Sequence, residues 1–402
     1  MTYPYVVQRG DTLYRVARKF NINLQSLLAA NPGVDPDRYL MPGQLLQIPA
    51  RNGGYVVQAG DSFYWIARKF NIGLQELMAV NPGIDPAQLP IGQTLRLPPP
   101  QGQESGDIVN TRWEYGYAEM IDDLALLQTR YPFIALETIG SSVLGKPIPA
   151  VRIGTGERRL HYNGSFHANE WITTLLVMKF LEDAARAAAT GASFRRRNMA
   201  ELFRRNTLWL VPMVNPDGVE LVQEGAAPDH PYYEQLIRWN GGSPDFRDWK
   251  ANIRGVDLND QFPAGWEIER DRRAVPGPGP RDWVGPEPLS EPESKAMADF
   301  TRKYDFAMTI AFHTQGREIY WNYRDLEPPE SEAIAARFGQ VSGYRPVKLT
   351  DSDAGYKDWF IQEWRRPGFT VEAGLGINPL PISQFPEMYR DAGNIMLAAL
   401  EI

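Results

Sequence analysis

The chain has 402 residues, 43% hydrophobic and 23% charged, a globular composition long enough for two or three domains. Its net charge of −7 argues against a broad nucleic-acid footprint, which needs an excess of Lys and Arg. It has no cysteine and four histidines, which excludes disulfides, thiolate ligands and a thiol nucleophile and confines any metal to His, Asp and Glu.

No run of about eighteen apolar residues is present, so no membrane span is expected. The opening MTYPYVVQRGD lacks the apolar core of a signal peptide. The expectation is export by another route, removal of a leader, or action inside the cell until lysis.

The first stretch is an internal repeat. Tyr5-Val6-Val7-Gln8-Arg9-Gly10-Asp11-Thr12 returns 50 residues later as Tyr55-Val56-Val57-Gln58-Ala59-Gly60-Asp61-Ser62, and Asn31-Pro32-Gly33 returns as Asn81-Pro82-Gly83. Each copy predicts a strand, a tight Gly-Asp turn, a helix, a short second helix stopped at Asn-Pro-Gly, a loop and a closing strand. Asp11 and Asp61 are expected as helix N-caps.

These residues resemble the LysM module, with its GD-[ST] start, N-P helix end and G-Q-x-L finish. The resemblance implies two small α+β (βααβ) modules, residues 1–50 and 51–99, that bind N-acetylglucosamine-containing glycan such as peptidoglycan or chitin. It also carries the sugar groove over to Gly10, Asp11, Thr12 and Leu13 with the 32–36 loop, and to Gly60, Asp61, Ser62 and Phe63 with the 82–86 loop. Most of these residues alternatively only build the fold. Two copies on one polymer would bind with avidity.

Residues 100–106 read as a Pro/Gly linker, stiffened by the prolines before it and loosened by Gly and Ser. From 107 onward helices and strands alternate. Helices are expected over 117–131, 171–188, 194–205, 291–304 and 384–400, and strands over 150–153, 160–163, 207–212, 308–312 and 369–372. This pattern predicts one α/β domain with a mixed, largely buried sheet and helices on both faces, spanning 107–402. In such sheets, sites gather where strands end.

Three strand ends carry candidate chemistry. His167-Ala168-Asn169-Glu170 follows an apolar run and precedes a helix, a spacing at which nitrogen and oxygen can share one zinc. The alternative is a polar loop with Glu170 on the favourable end of a helix dipole. His313 ends Met308-Thr309-Ile310-Ala311-Phe312, and Glu372 ends Phe369-Thr370-Val371. The four could meet at one rim, three as ligands and one as general base. His161 and His230 match no ligand position and are expected to be structural or surface residues. Asn215-Pro216-Asp217-Gly218 reads as a turn.

Residues 107–402 resemble the zinc carboxypeptidase family typified by carboxypeptidase A. HxxE, N-P-D-G, G-V-D-L-N, a strand-end His and a strand-end Glu come in the family's order. The resemblance implies His167, Glu170 and His313 as ligands of one zinc ion and Glu372 as general base and acid. Asp257 would fix the tautomer of a ligand histidine. Lys250 would replace an oxyanion-stabilising Arg as a point charge. Asn259 would grip the substrate's terminal group.

Two departures bear on specificity. Asp260 stands where the family has an Arg for the substrate's terminal carboxylate, and Thr350 aligns with the family's mobile Tyr, with Tyr356 near but shifted. Asp260, His313-Thr314-Gln315-Gly316 and Asn378-Pro379-Leu380-Pro381 resemble the branch of γ-D-glutamyl-diaminopimelate peptidases, which also carry paired LysM modules. That implies a cell-wall or spore-associated enzyme cutting the γ-D-glutamyl–meso-diaminopimelate bond of peptidoglycan stem peptides. Asp260 would bind the distal ammonium and Arg254 or Arg247 the distal carboxylate, while Gln315 lines the pocket or merely turns the chain. Rival readings are a general metallocarboxypeptidase tethered to the wall and a non-catalytic glycan-binding protein. The retention of His167, Glu170, His313 and Glu372 speaks against the second.

Overall fold

The computed structural model describes residues 2–7, 11–19, 22, 24–35, 40–41, 43–49, 54–57, 62–63, 66, 74–85, 89–90, 92–96 and 107–402. Gly10, Gly60, Asp61 and the 100–106 segment lie outside them. The chain divides into two compact units, Met1–Asp107 and Ile108–Ile402.

In the first unit, β1 (Thr2–Val6) pairs antiparallel with β2 (Leu45–Pro49), and α1 (Leu13–Lys19) and α2 (Leu24–Ala30) lie between them in sequence. Leu13, Val16 and Ala17 fall three and four apart, one face of a helix, and bury with Val7, Leu27, Leu46 and Ile48. The second copy repeats this with β3 (Gly54–Val56), α3 (Leu74–Ala79) and β4 (Thr94–Arg96), around Val57, Phe63, Ile66, Leu77 and Leu95.

The capping expectation needs correcting at Asp11. Helix α1 starts at Leu13, so the cap position falls on Thr12, whose Oγ1 accepts from the Arg15 amide at 3.1 Å. A capping side chain accepts from the second or third helical amide, and Asp11 stands one residue before the cap position. Its carboxylate accepts from the Tyr5 hydroxyl instead.

The Asn-Pro-Gly motif does more than stop a helix. Asn31 Nδ2 donates to the Leu27 carbonyl at 2.7 Å and the Gln47 carbonyl at 2.8 Å, and its Oδ1 accepts from the Gln47 amide at 2.7 Å. Asn81 makes the same three bonds to Leu77 and Arg96. Each asparagine latches the end of a helix to the closing strand.

In the second unit, α4 (Tyr117–Arg130) precedes β5 (Ala135–Ser141), β6 (Pro147–Gly154) and β7 (Arg158–Gly164). Next come α5 (Ile172–Thr190), the hairpin β8 (Ser193–Phe194) and β9 (Arg197–Asn198), α6 (Met199–Arg205), β10 (Asn206–Val211), α7 (Pro216–Glu224), α8 (Tyr233–Trp239), α9 (Trp266–Arg273) and α10 (Pro292–Tyr304). The unit closes with β11 (Met308–His313), β12 (Glu318–Tyr320), α11 (Glu330–Ser342), β13 (Arg345–Val347), α12 (Tyr356–Trp364), β14 (Gly368–Glu372) and α13 (Phe385–Glu401).

Eight strands form one sheet in the order β13-β12-β14-β11-β7-β10-β6-β5. The central four, β14, β11, β7 and β10, run parallel, and antiparallel pairs join them to the outer strands. Both faces are buried, which is why these strands read as unbroken apolar runs. Leu208, Leu210, Ile310, Phe312, Phe369 and Val371 pack on one side with residues of α5, α11 and α13. Trp209, Val211 and Ala311 pack on the other with Met297 and Phe300 of α10 and Trp359 and Phe360 of α12.

The helix expected over 194–205 begins only at Met199. Arg195 and Arg196 take left-handed φ values of 47° and 67° and turn the β8–β9 hairpin. Asn198 then caps α6 by accepting from the Glu201 amide.

Candidate metal centre

The parallel strands deliver their C-terminal ends to one edge of the sheet, as α/β sheets do. Strand β7 leads into the turn carrying His167 and Glu170, β11 ends on His313, and β14 ends on Glu372, which pairs across the ladder with His313. Ser165 enters the turn with φ 50°. Its amide donates to Thr173 Oγ1 at 2.8 Å, and its hydroxyl lies 2.8 Å from that of Thr174. Asn215, read as part of a turn, instead caps α7 by accepting from the Gly218 amide, and its Nδ2 donates to the carbonyls of Phe166 and Ala251 at 3.1 Å. The N-P-D-G motif thereby ties the His167 turn to the Lys250 segment.

The structure brings His167, Glu170 and His313 together, all buried, with one ligand-type atom from each within 4.8 Å of the others. His167 Nδ1 lies 2.8 Å from Glu170 Oε1, His313 Nδ1 lies 3.0 Å from Glu170 Oε2, and the two Nδ1 atoms are 3.1 Å apart. Burial works against the Glu170 charge, yet the two imidazoles hold its pKa down at about 2. His167 Nε2 lies 3.1 Å from Asp257 Oδ1. A carboxylate there favours the proton on Nε2 and leaves Nδ1 with a lone pair aimed at Glu170. Two nitrogens and a carboxylate converging in this way suit a shared cation, and the nitrogen and oxygen donor set suits zinc.

Asp257 is fully buried and serves three partners, His167, Lys250 and the Asn259 amide, which donates to Oδ1 at 3.1 Å. Its Oδ2 accepts from Lys250 Nζ at 2.6 Å. Burial opposes the ammonium, but Asp257, Asp260 and Asp282 together raise the Lys250 pKa, so it stays charged. Glu372 is half-buried. Its desolvation outweighs the attraction of His313 and raises its pKa to about 8.

The substrate-side candidates each have their own surroundings. Asn259 Oδ1 accepts from the Tyr356 amide at 3.1 Å, anchoring the start of α12. Asp260 is buried and ion-paired with Arg273 Nε at 3.0 Å. Arg254 reaches Tyr232 Oη at 3.5 Å and Glu291 at 3.7 Å, and Arg247 pairs with Asp245 through Nε and Nη2. Gln315 is exposed. Tyr356 is wholly buried, its hydroxyl 2.9 Å from His161 Nδ1 and from Thr301 Oγ1. It supports the core, as does His161. His230 Nδ1 accepts from the Tyr232 amide in a loop.

Three residues escaped the sequence reading. Arg273 and Asp282 lie in stretches that look like exposed charge. Asn378 Nδ2 donates to the Thr314 carbonyl at 2.9 Å and reaches Glu170 Oε1 at 3.4 Å. Its Asn-Pro motif was visible as a branch marker, but its reach to Glu170 is a long-range contact.

Comparison with known proteins gives a consistent picture. A family model described as zinc carboxypeptidase matches residues 120–381, and the LysM domain model matches residues 5–49 and 55–98. The chain is 54% identical over 293 residues to γ-D-glutamyl-L-diamino acid endopeptidase 1 of Lysinibacillus sphaericus, covering 73% of this chain and 74% of that protein. It is 44% identical over 275 residues to the uncharacterized protein YqgT of Bacillus subtilis, covering 67% and 73%. In fold it is similar to carboxypeptidase A from Helicoverpa armigera, with a TM-score of 0.53 at 17% identity over 74% of this chain and 77% of that one.

Proposed function

The chain belongs to the zinc carboxypeptidase family and is a zinc metallopeptidase with two LysM domains, and from that premise we propose that it hydrolyses the γ-D-glutamyl–meso-diaminopimelate bond of peptidoglycan stem peptides. The observation that carries the reading is the buried His167–Glu170–His313 cluster in a chain with this degree of identity to a γ-D-glutamyl-L-diamino acid endopeptidase. The LysM modules, which we assign to peptidoglycan glycan, hold the enzyme on its insoluble substrate and raise the local concentration of stem peptides. Asp11 and Thr12, with Ser62 in the second copy, are the described residues we assign to the sugar groove, alongside Gly10, Gly60 and Asp61. The place of action we infer is the cell wall, that of the spore included.

His167, Glu170 and His313 are the residues that would hold one zinc ion in the catalytic unit. Bound there, zinc supplies a Lewis acid that polarises the scissile carbonyl and lowers the pKa of water. Glu372 takes the proton from the attacking water and returns it to the departing diaminopimelate amine, a general base turned general acid. A carboxyl with pKa raised toward neutrality suits both halves of that exchange. Lys250 Nζ offers positive charge to the oxyanion as it develops. Asp257 orients His167 on one side and Lys250 on the other. Asn259 retains its Nδ2 for the substrate.

Mass spectrometry of wall digests tests the reading. Fragments ending in D-Glu, with matching peptides that begin at diaminopimelate, are expected. Release of C-terminal residues alone, or ready cleavage of hippuryl-Lys, would point to the general metallocarboxypeptidase instead.

A further inference from the structure

Arg273 and Asp282 form an ion pair that the catalytic machinery described above does not use. Arg273 closes α9, and its Nε lies 3.0 Å from Asp260 and 2.8 Å from Glu269, two buried acids, while its Nη2 donates to Asp260 Oδ1 at 3.4 Å. Its Nη1 lies 3.3 Å from Asp282 Oδ1. Asp282 Oδ1 in turn lies 3.7 Å from Lys250 Nζ, which is bonded to Asp257 and through it to His167. A line of alternating charge therefore runs from the metal cluster to Arg273.

The two ends of the Arg273–Asp282 pair differ from the acids that support it. Their side chains are 33% and 32% exposed, while those of Asp260 and Glu269 are 7% and 2% exposed. Asp282 is also placed with care by the backbone. It follows the Pro276-Gly277-Pro278-Gly279-Pro280 run and Arg281, and takes a left-handed φ of 66°, a conformation that Asp adopts more readily than most residues. The Pro280 carbonyl accepts from the amides of Lys250 and Ala251 at 2.8 and 3.0 Å, and the Trp283 carbonyl accepts from the Asp257 amide at 2.8 Å. Asp282 is pinned on both sides to the segment that carries Lys250 and Asp257.

We propose that Arg273 and Asp282 together read the zwitterionic distal end of the diaminopimelate side chain, Arg273 taking its carboxylate and Asp282 its ammonium. The assignment rests on the proposed bond and names the residues behind its specificity. A zwitterion inserted between the two exchanges one long ion pair for two short ones and itself adds no net charge to the site. A side chain ending in an amine alone, as in lysine, leaves Arg273 facing only its own acids. A lone carboxylate leaves Asp282 against a second anion. Asp260, assigned to the ammonium from sequence, acts here as a positioning residue, since it is buried and accepts from Arg273 Nη2 at 3.4 Å.

The test compares three soluble γ-D-glutamyl-meso-diaminopimelate peptides. One has a free distal centre, one has the distal amine acetylated and one has the distal carboxylate amidated. The wild-type enzyme and Asp282→Asn are assayed on each as full-length zinc-loaded protein. Blocking either distal group is expected to raise KM about tenfold or more in the wild type, because a recognition group is left unpaired. Asp282→Asn is expected to raise KM for the free substrate by a similar factor with a smaller change in kcat. The losses from Asp282→Asn and from acetylation should not add, since both remove the same contact. Equal KM for all three peptides in the wild type overturns the assignment, and so does a loss of kcat in Asp282→Asn that is the same on every substrate. If the wild type cuts none of the three, the bond itself is wrong and the assignment falls with it.

Discussion

Oδ1 of Asp257, a wholly buried residue, faces Nε2 of His167 across 3.1 Å. The same carboxylate binds Lys250 through its other oxygen, so one side chain contacts both the imidazole we assign to the metal and the nearby cation. Asp257→Asn keeps the shape and removes the charge. Zinc affinity is expected to fall about 10- to 100-fold, the usual cost of losing a carboxylate behind a ligand histidine. Competition with a chelator measures it, and an unchanged affinity would separate Asp257 from the metal.

Lys250→Ala should lower kcat by about 100-fold or more, the loss typical of removing an oxyanion stabiliser. Lys250→Arg should recover part of that loss, because the charge returns with a different geometry. Zinc content measured alongside the kinetics separates this effect from a disturbed Asp257. A kcat within about twofold of wild type in Lys250→Ala, with zinc bound, removes Lys250 from the oxyanion.

Glu372→Gln should retain zinc and lose turnover. In the wild type, a base must be ionised to work, and a pKa raised above the ordinary 4.5 means the working form is gained as pH rises. The acid limb of the kcat/KM profile is therefore expected above the ordinary carboxylate range. Turnover by Glu372→Gln near the wild-type rate would give the base role to another group.

Glu293, at the start of α10, is fully buried and accepts from the Val143 amide at 3.1 Å. Burial is the main cause of its pKa rising from 4.5 to about 7. The folded state thus binds the proton more tightly than the unfolded state. By linkage, stability falls as pH rises between about 4.5 and about 7 and is level above that. Glu293→Gln should flatten this slope and stabilise the protein at pH 8, by an amount on the order of 2 kcal/mol. Denaturant melts at pH 5 and pH 8 check the sign, and an equal slope in the variant would discharge Glu293 from the effect.

The metal cluster was legible because the His167–Glu170 turn follows one strand and His313 closes another, and a parallel sheet carries such ends to one edge. His167, Glu170, His313 and Glu372 needed only the order of the strands. Arg273 was not legible, because Arg270, Arg272 and Arg273 look alike on a charged helix and only the fold turns one of them toward Asp260. Asp282 depends on a loop whose path is fixed by the Pro280 and Trp283 carbonyls, contacts that leave no pattern in sequence. The helix called from Phe194 failed for a local reason. Arg195 and Arg196 are good helix formers, and a two-residue left-handed turn overrode their preference. At Asp11 the residue type was right for a cap and the register was off by one.

The latch made by Asn31, and again by Asn81, has an evolutionary consequence. All three bonds of each asparagine close within its own copy, to a helix end and a strand lying 15 or 16 residues further on. Each copy also has a separate apolar cluster and a separate two-stranded sheet. A gene duplication that adds such a unit, or a deletion that removes one, breaks no bond of the latch in the copy that stays. The number of copies can therefore be tuned by selection without redesigning the peptidase behind them.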